Sequence, residues 1–117
     1  MYVNDNPSMA RALADVLDAK GFEVYPVCSG AEALAILRDH PVDILLTDVI
    51  MPKMNGLALY RETQKTHPRL TTFFITAYAA DDLIQQGMKE GIKTVLNKPV
   101  DIDLLLLLLR ATRRNST

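Results

Sequence analysis

The sequence predicts an α/β fold in a single domain, residues 1–117, built on a parallel β-sheet. Strand-like and helix-like segments alternate strictly along the chain, and the connections between them are short. Such alternation requires a parallel sheet that is covered by helices on both faces. The composition, 49% hydrophobic and 23% charged, suits one core of ordinary size. Right-handed crossovers leave few topologies, of which the flavodoxin-like (βα)5 doubly wound sandwich with strand order 2-1-3-4-5 suits five strands.

Five short segments have the character of strands. The central one, Val42–Thr47, is a continuous run of Ile, Leu and Val that is typical of a buried strand. The first, Met1–Val3, is short for a central strand, so either the chain lacks a few native residues or this strand is weakly held. The other predicted strands are Phe22–Val27, Thr71–Ile75 and Lys93–Leu96.

Each predicted strand is followed by a helical segment. Ser29 and Glu32 have the spacing of a capping box and open the second helix, which ends near His40. The fourth helix contains Gly87, which lowers its predicted stability by about 1 kcal/mol relative to alanine, so we expect this helix to be easily remodelled. The first, third, fourth and fifth helices are predicted over Ser8–Lys20, Gly56–Thr66, Ala79–Glu90 and Asp101–Arg114. In the first helix, a core-facing stripe is expected from Met9, Ala12, Leu13, Val16 and Leu17.

Composition excludes several classes of partner. The formal net charge is -1 and there is no basic stripe, so we expect no direct binding of nucleic acid. No apolar run approaches the ~20 residues of a membrane span, and the first residues do not have the layout of a signal peptide. The single Cys28 suits a reducing compartment. We therefore expect a cytoplasmic protein without membrane contact.

Polar residues follow four of the predicted strands, and the topology brings those strand ends together. Ligands of open α/β sheets bind beyond the carboxyl ends of the strands. Two carboxylates, Asp5 and Asp48, suit Mg²⁺. The hydroxyl of Thr76 and the ammonium of Lys98 suit the oxygens of a phosphoryl group. Because an Asp can attack phosphorus to give an acyl phosphate, the set indicates phosphoryl transfer to Asp48.

The chain resembles the response-regulator receiver domains of two-component signalling, the chemotaxis-regulator-like phosphoacceptor modules. The resemblance covers essentially the whole chain. Any one motif is weak, but several in the correct order and spacing are highly specific. The motifs are Val-Asn-Asp-Asn-Pro at 3–7, Gly-Ala-Glu-Ala-Leu at 30–34, Asp-Ile-Leu-Leu-Thr-Asp-Val-Ile-Met-Pro-Lys-Met-Asn-Gly at 43–56, Thr-Ala-Tyr at 76–78, Gly91, and Lys98-Pro99.

The resemblance implies roles for the strand-end residues. Asp48 would accept a phosphoryl group from a histidine of a sensor kinase or of a histidine phosphotransfer protein. Asp5, Asp48 and the backbone carbonyl of Ile50 would hold Mg²⁺. Such a domain is not an enzyme with turnover: it catalyses only its own phosphorylation and slow dephosphorylation.

The same resemblance implies a switch. Thr76 would donate to a phosphoryl oxygen and act as the switch hydroxyl, and Lys98 would pair with the phosphate. The peptide bond between Lys98 and Pro99 would be cis. Phosphorylation would alter a protein-interaction face made of the fourth helix, the fifth strand and the fifth helix.

Two residues depart from the family pattern near the site. Asn4 stands where relatives usually have a second acid, so we expect weaker Mg²⁺ binding, with the amide oxygen still able to orient a metal-bound water. Val95 stands where relatives usually have Tyr or Phe, so the switch aromatic is replaced and coupling to the surface must be weaker or use the fourth helix. Ile50 and Tyr78 flank the pocket without a group to orient an attacking water, so we expect slow loss of phosphate.

The last predicted helix carries more leucines than one buried face needs. Ile102, Leu105 and Leu109 share the core face at 100° per residue, with Leu106 beside it. Leu107 lies nearly opposite, and Leu104 and Leu108 lie on the flanks. Either one or two leucines are simply exposed, or the face forms a homodimer or partner contact. The residues of this possible interface are Leu104, Leu107 and Leu108.

Two other functions are compatible with parts of the pattern. A pseudo-receiver that serves as a protein–protein adaptor without phosphorylation is favoured by Asn4 and Val95, but the intact set of Asp48, Thr76 and Lys98 argues against it. A haloacid-dehalogenase-like phosphatase also uses a strand-end Asp as nucleophile. It requires a second Asp two residues later, and that position is Ile50.

Overall fold

Five strands and five helices alternate along the chain in the computed structural model, which describes residues 1–77 and 81–115 without the side chains of 81 and 113–115. The strands are β1 (Tyr2–Val3), β2 (Pro26–Val27), β3 (Ile44–Asp48), β4 (Thr71–Thr76) and β5 (Thr94–Asn97). The helices are α1 (Pro7–Ala19), α2 (Gly30–Asp39), α3 (Gly56–Thr66), α4 (Asp81–Glu90) and α5 (Ile102–Asn115). All strand pairs are parallel, in the order β2-β1-β3-β4-β5. The predicted class and topology are confirmed; the predicted start of the fourth helix, Ala79, lies outside the described residues.

Helices cover both faces of the sheet, so the core has two sides. Phe73 and Phe74 of β4 are fully buried and, because successive side chains of a strand point to opposite faces, they belong to different clusters. Phe73 packs with residues of α1 and α5, whereas Phe74 packs with residues of α3 and α4. With both faces covered, the ends of the strands remain available for a polar site.

The second strand is shorter than its sequence predicts. The prediction of a strand over Phe22–Val27 is wrong for the first four residues, because only Pro26 and Val27 pair with β1. β1 itself has only two residues and offers no further ladder partner. Phe22 and Val24 instead contribute through their side chains, which pack partly buried against the core cluster of α1 and α5.

The buried face of α1 is rotated relative to the predicted stripe. Met9 and Val16 are 45% and 39% exposed, and Ala12 is exposed as well, so these three assignments are wrong. The small side chains of Ala10 and Ala14 let the helix approach the sheet closely, which the larger Met9 and Val16 would prevent. The buried residues are Ala10, Leu13, Ala14 and Leu17.

Gly87 of α4 is buried against the sheet. A Cβ at this position would lie 2.6 Å from Cε2 of Phe74 and 3.0 Å from Cγ1 of Ile92, both far inside normal contact distances. The glycine therefore permits the close approach of α4, which is a packing reason for a residue that costs helix propensity. That α4 is easily remodelled stays a prediction.

We expect Gly87→Ala to lower the free energy of unfolding by about 1–2 kcal/mol net. Overpacking against the fully buried Phe74 ring falls in the upper part of the usual range of about 1–3 kcal/mol. This cost of overpacking outweighs the gain of about 1 kcal/mol in helix propensity. Urea denaturation measures the difference, with Gln85→Ala, an exposed position of the same helix, as the control. A Gly87→Ala variant more stable than wild type would contradict the packing argument.

The amino group of Met1 is buried at the amino-terminal end of the sheet. It donates to the backbone carbonyl of Ile44 at 3.0 Å beside a cavity of about 340 Å³. Burial lowers the pKa of this amine from 8.0 to about 6, although the negative charge of Asp43 opposes the change. The protonated form is therefore disfavoured in the folded protein.

For the chain that begins at Met1, we expect stability to fall as the pH is lowered from 8 to 6. The unfolded amine binds its proton near pH 8 and the folded one near pH 6. The unfolded state therefore holds more protons in this window, and the free energy of unfolding rises with pH. The full difference is at most about 2–3 kcal/mol. Unfolding curves at pH 6 and 8.5 measure it, and acetylation of the amine should remove this dependence.

A set of contacts joins the carboxyl end of α4 to α3. Arg61 pairs with Glu90 through two nitrogens, at 2.9 and 2.7 Å, and this pairing holds the pKa of Glu90 down at about 2. The Tyr60 hydroxyl donates to the Glu90 carbonyl at 2.7 Å. Gly91 follows with a φ of +119°, a conformation that favours glycine, and its missing side chain leaves room for the Tyr60 hydroxyl. Together these contacts fix the end of α4.

The leucines of α5 divide as their helical positions predict. Leu105, Leu106 and Leu109 are buried, whereas Leu104 and Leu107 are 43% and 66% exposed. Leu108, predicted as part of an interface, packs partly buried against the core instead. None of the helices in the described part of the chain is long and apolar enough to cross a bilayer.

Candidate functional site

A polar cleft of about 360 Å³ lies at the carboxyl ends of β1, β3 and β4, beside the residue that follows β5. The four residues that the sequence places at strand ends all line it. The prediction that the topology brings them to one mouth of the fold is therefore confirmed by their positions. The lining residues are Asn4, Asp5, Asn6, Met9, Asp48, Val49, Ile50, Ile75, Thr76, Ala77 and Lys98.

Asp48 is the last residue of β3, and its side chain is almost wholly buried. Lys98 Nζ donates to Asp48 Oδ2 at 3.0 Å, with 20% of the lysine side chain exposed. Burial raises the pKa of Asp48; the hydrogen bond and charge of Lys98 oppose the rise, and the charge of Asp5 adds to it. Lys98 therefore favours the ionised form of Asp48 at a position where burial alone would favour the neutral acid.

One oxygen of Asp48 is left without a protein partner. Oδ1 is buried and accepts no hydrogen bond within the described residues. An orphaned carboxylate oxygen is costly in a protein interior unless a cation or a water occupies the site in solution. Asp48 lines a cleft that also contains the exposed Asp5.

The donors present fit a hard divalent cation. Within residues 1–77 and 81–115, no group of three or more His, Cys, Asp or Glu side chains could hold a metal. A site here must therefore use the two carboxylates Asp5 and Asp48, together with backbone oxygen and water, which is how Mg²⁺ is commonly held. The orphaned Oδ1 of Asp48 is the observation that supports this fit. The role of the Ile50 carbonyl stays a prediction.

The loop after Asp48 is held close to the strand. Gly56 N–H donates to the Val49 carbonyl at 2.8 Å, and a Cβ at Gly56 would overlap the Asp48 carbonyl oxygen. Asn55 caps α3 by accepting from Ala58 N at 2.8 Å. Ile50, in the same loop, is 52% exposed at the rim of the cleft. The predicted slow loss of phosphate stays a prediction, and Tyr78, the other residue on which it depends, lies outside the described residues.

The turn after β1 places Asp5 through its neighbours. Asn6 caps α1 by accepting from Ser8 N at 3.0 Å and Met9 N at 3.2 Å. Asn4 is 1% exposed, and its Oδ1 accepts from Asn6 N at 2.9 Å. Asn4 Oδ1 was predicted to orient a metal-bound water, but in the structure it already accepts a hydrogen bond from the backbone of Asn6. Asp5 is left as the exposed acid of the turn.

The remaining predicted residues belong to β4, to β5 and to the segment that follows β5. Thr76 ends β4 and is 5% exposed, and its carbonyl accepts from Lys98 N at 2.8 Å. The Lys98–Pro99 peptide bond is cis, as predicted. Val95 lies in β5 opposite Phe74 and packs partly buried with the cluster under α3 and α4. It offers no ring at this position.

Tyr2 was not predicted as a site residue. It is 2% exposed, and its hydroxyl accepts from Asn4 Nδ2 at 2.8 Å. Burial raises the pKa of this phenol; the hydrogen bond to Asn4 opposes the rise, and the charge of Asp48 adds to it. The available signal was the period-2 spacing, which puts positions 2 and 4 of a strand on one face.

Comparison with known proteins agrees with this fold and site. The chain matches the response regulator receiver domain family over residues 1–110. It is 41% identical over 106 residues to a response regulator receiver protein of Anaeromyxobacter sp. (strain Fw109-5), covering 91% of this chain and 44% of that protein. It is 33% identical over 105 residues to the sensor histidine kinase RcsC of Escherichia coli, covering 90% of this chain and 11% of the kinase.

Solved structures show the same architecture. The signal receiver domain of an HD domain-containing protein from Pseudomonas fluorescens Pf-5 has a TM-score of 0.92 at 25% identity, covering 98% of this chain and 93% of that one. A response regulator receiver domain protein from Clostridium thermocellum has a TM-score of 0.87 at 29% identity, covering 97% and 93%.

The fold and site define a flavodoxin-like receiver module with an acidic cleft at the strand ends. The chain belongs to the response regulator receiver domain family of two-component systems. It spans less than half the length of the curated relatives named here, which include both a response regulator protein and a sensor kinase.

Proposed function

We propose that this domain is the phosphoacceptor of a two-component phosphorelay, with Asp48 as the residue that is phosphorylated. The observation that carries the proposal is the pairing of a buried strand-end carboxylate with Lys98, beside an oxygen that lacks a protein partner. The donor is a phosphohistidine of a sensor histidine kinase or of a histidine phosphotransfer protein. Kinases and regulators among the relatives support a donor of this kind.

The chemistry follows from the groups in the cleft. A carboxylate oxygen of Asp48 attacks phosphorus, the P–O bond forms, the P–N bond breaks, and the imidazole leaves with the bonding electron pair and takes up a proton. The ammonium of Lys98 and the hydroxyl of Thr76 stabilise negative charge on the phosphoryl oxygens. Bound Mg²⁺, held by Asp5 and Asp48 with the Ile50 carbonyl, would supply further neutralisation of that charge. Hydrolysis of the acyl phosphate returns Asp48 to its free form slowly.

The test is incubation with acetyl phosphate and MgCl₂ followed by intact-mass measurement. The expected result is the mass of one added phosphoryl group on wild type and none on Asp48→Ala. Omission of MgCl₂ should suppress the product. An unmodified wild-type protein under conditions that phosphorylate another receiver would favour the pseudo-receiver adaptor, which the buried, fully engaged Asn4 also favours. Repeated release of phosphate from small phosphoesters would instead indicate the dehalogenase-like phosphatase.

We also propose that phosphorylation acts on the face of α4, β5 and α5, and that this face forms a homodimer. Support comes from Leu104 and Leu107, which remain exposed on a helix whose other leucines are buried or partly buried. Leu107→Glu should abolish self-association in sedimentation experiments. Val16→Glu, which adds the same charge at an exposed apolar position of α1, is the matched control and should leave it intact. A wild-type protein that stays monomeric at high concentration, phosphorylated or not, would exclude the dimer.

A further inference from the structure

The side chains of Tyr2 and Asn4 form a buried pair directly beneath the acidic cleft. Tyr2 lies on the face of β1 that is covered by α1 and α5, Asn4 directly follows β1, and the two residues are 2% and 1% exposed. Asn4 also lines the cleft itself. The pair therefore connects the core to the wall of the site.

The orientation of the Asn4 amide follows from its partners. Asn6 contributes a backbone N–H, which can only donate, so the group 2.9 Å away must be the amide oxygen of Asn4. The amide nitrogen then faces the Tyr2 hydroxyl at 2.8 Å. Both ends of a planar, buried group are held, so Asn4 cannot turn its oxygen toward the cleft without breaking a hydrogen bond.

We propose that Tyr2 is a positioning residue of the cation site: its hydroxyl locks the side chain at position 4 and withholds it from the metal. The inference rests on the proposed function, because it concerns the Mg²⁺ that phosphorylation uses. Asp5 and Asp48 are then the carboxylates that bind the cation. Position 4 serves the turn through Asn6 rather than the metal.

The Tyr2 hydroxyl should hold a carboxylate at position 4 as it holds the Asn4 amide. In Asn4→Asp, one oxygen still accepts from Asn6 N–H, and the other takes the place of Nδ2 beside the Tyr2 hydroxyl. That hydroxyl rotates to donate, since a phenol can either donate or accept. A hydrogen bond to a charged acceptor is stronger than one between neutral groups, so the new carboxylate stays directed at Tyr2. The added charge is then only partly available to Mg²⁺.

The experiment is a double-mutant cycle read as Mg²⁺ affinity by calorimetric titration with MgCl₂ alone. The proteins are wild type, Tyr2→Phe, Asn4→Asp and the double variant. We expect Asn4→Asp to tighten Mg²⁺ binding by about threefold or less with Tyr2 present, and by about 30-fold or more with Phe at position 2, since a tenfold difference between the two backgrounds is about the lower end for one hydrogen bond to a charged group. Tyr2→Phe alone should leave the affinity within about twofold, since Asp5 and Asp48 are unchanged.

Tyr25→Phe removes the same hydroxyl from a tyrosine near the neighbouring strand and is the matched control. Combined with Asn4→Asp, it should give the small gain seen in the wild-type background. A second measurement uses the NMR signals of the Asn4 side-chain amide, whose exchange with water should accelerate in Tyr2→Phe and not in Tyr25→Phe. Thermal unfolding verifies that each variant is folded.

Two outcomes overturn the inference and are distinguishable. Equal gains from Asn4→Asp in the Tyr2 and Phe backgrounds, with Mg²⁺ bound in all proteins, contradict the role of Tyr2 and leave the proposed function intact. Absence of Mg²⁺ binding in all four proteins contradicts the metal site of the proposed function and the role of Tyr2 with it. A large gain in Mg²⁺ affinity that is confined to the double variant supports both the metal site and the positioning role of Tyr2.

Discussion

Replacing Lys98 with alanine is expected to slow phosphorylation of Asp48 by about 100-fold, the usual cost of removing one preorganised electrostatic group. Two effects act in the same direction. The phosphoryl oxygens lose the ammonium that lies 3.0 Å from the nucleophile's carboxylate. The carboxylate itself loses the charge and the hydrogen bond that oppose the rise of its pKa, so burial and Asp5 act without opposition.

The second effect gives the variant a pH signature. Phosphorylation requires the ionised carboxylate, so the rate falls as the pH drops through the pKa of Asp48. Because that pKa is already raised and rises further without Lys98, the variant should lose activity at a higher pH than wild type. Rates with acetyl phosphate across a pH series measure the displacement. Lys93→Ala removes an exposed lysine just before β5 and should change neither the rate nor the profile.

If Lys98→Ala and Lys93→Ala reacted at equal rates at neutral pH, the Asp48–Lys98 pair would have no part in phosphoryl transfer. Restoration of the rate in Lys98→Ala by raising the pH would show that the lysine acts mainly through the ionisation of Asp48. A rate that stays low at high pH would show that it acts mainly on the phosphoryl group.

Gly56→Ala should lower the free energy of unfolding by about 3 kcal/mol or more, at or above the upper end for overpacking, because backbone rather than a side chain would have to move. The added Cβ would overlap the Asp48 carbonyl oxygen and lie 3.1 Å from Val49 Cα. These atoms belong to the end of β3 and the start of the site loop, so phosphorylation should be impaired together with stability. Urea denaturation and the acetyl phosphate assay measure the two effects.

Gly21→Ala is the matched control for this variant. Its Cβ meets nothing within 4 Å, but its φ of +95° is unfavourable for alanine. The free energy of unfolding should therefore fall by only about 1–2 kcal/mol, because of the backbone conformation alone, and phosphorylation should be unaffected. If the two variants were equally stable and equally active, the close approach at Gly56 would not be what constrains the loop after Asp48.

The parts of the site that the sequence predicted are those fixed by topology. Asp48 and Thr76 end β3 and β4, Lys98 follows β5, and these strands are neighbours in the 2-1-3-4-5 order that suits the alternation of elements. Their convergence needs no knowledge of side-chain packing. Asp5 follows β1 in the same way, and the sheet places it at the same cleft.

The parts that were missed depend on packing between elements. The choice between Met9 and Ala10 for the core side of α1 is decided by how closely the helix lies against the sheet, which periodicity does not specify. The length of β2 depends on the two residues that β1 can offer it. Tyr2 resembles any apolar strand residue until its hydroxyl is seen beside Asn4.

The contacts of Tyr60 and Arg61 with Glu90 determine how α4 can move. A helix anchored at one end pivots about that end, so we expect any displacement of α4 on phosphorylation to grow from Glu90 towards Asp81. We therefore expect the half of α4 that follows β4 to move more on phosphorylation than the end near Gly91, which stays in register with α3. A reporter attached at Met88 should therefore record smaller changes on phosphorylation than one attached at Asp82.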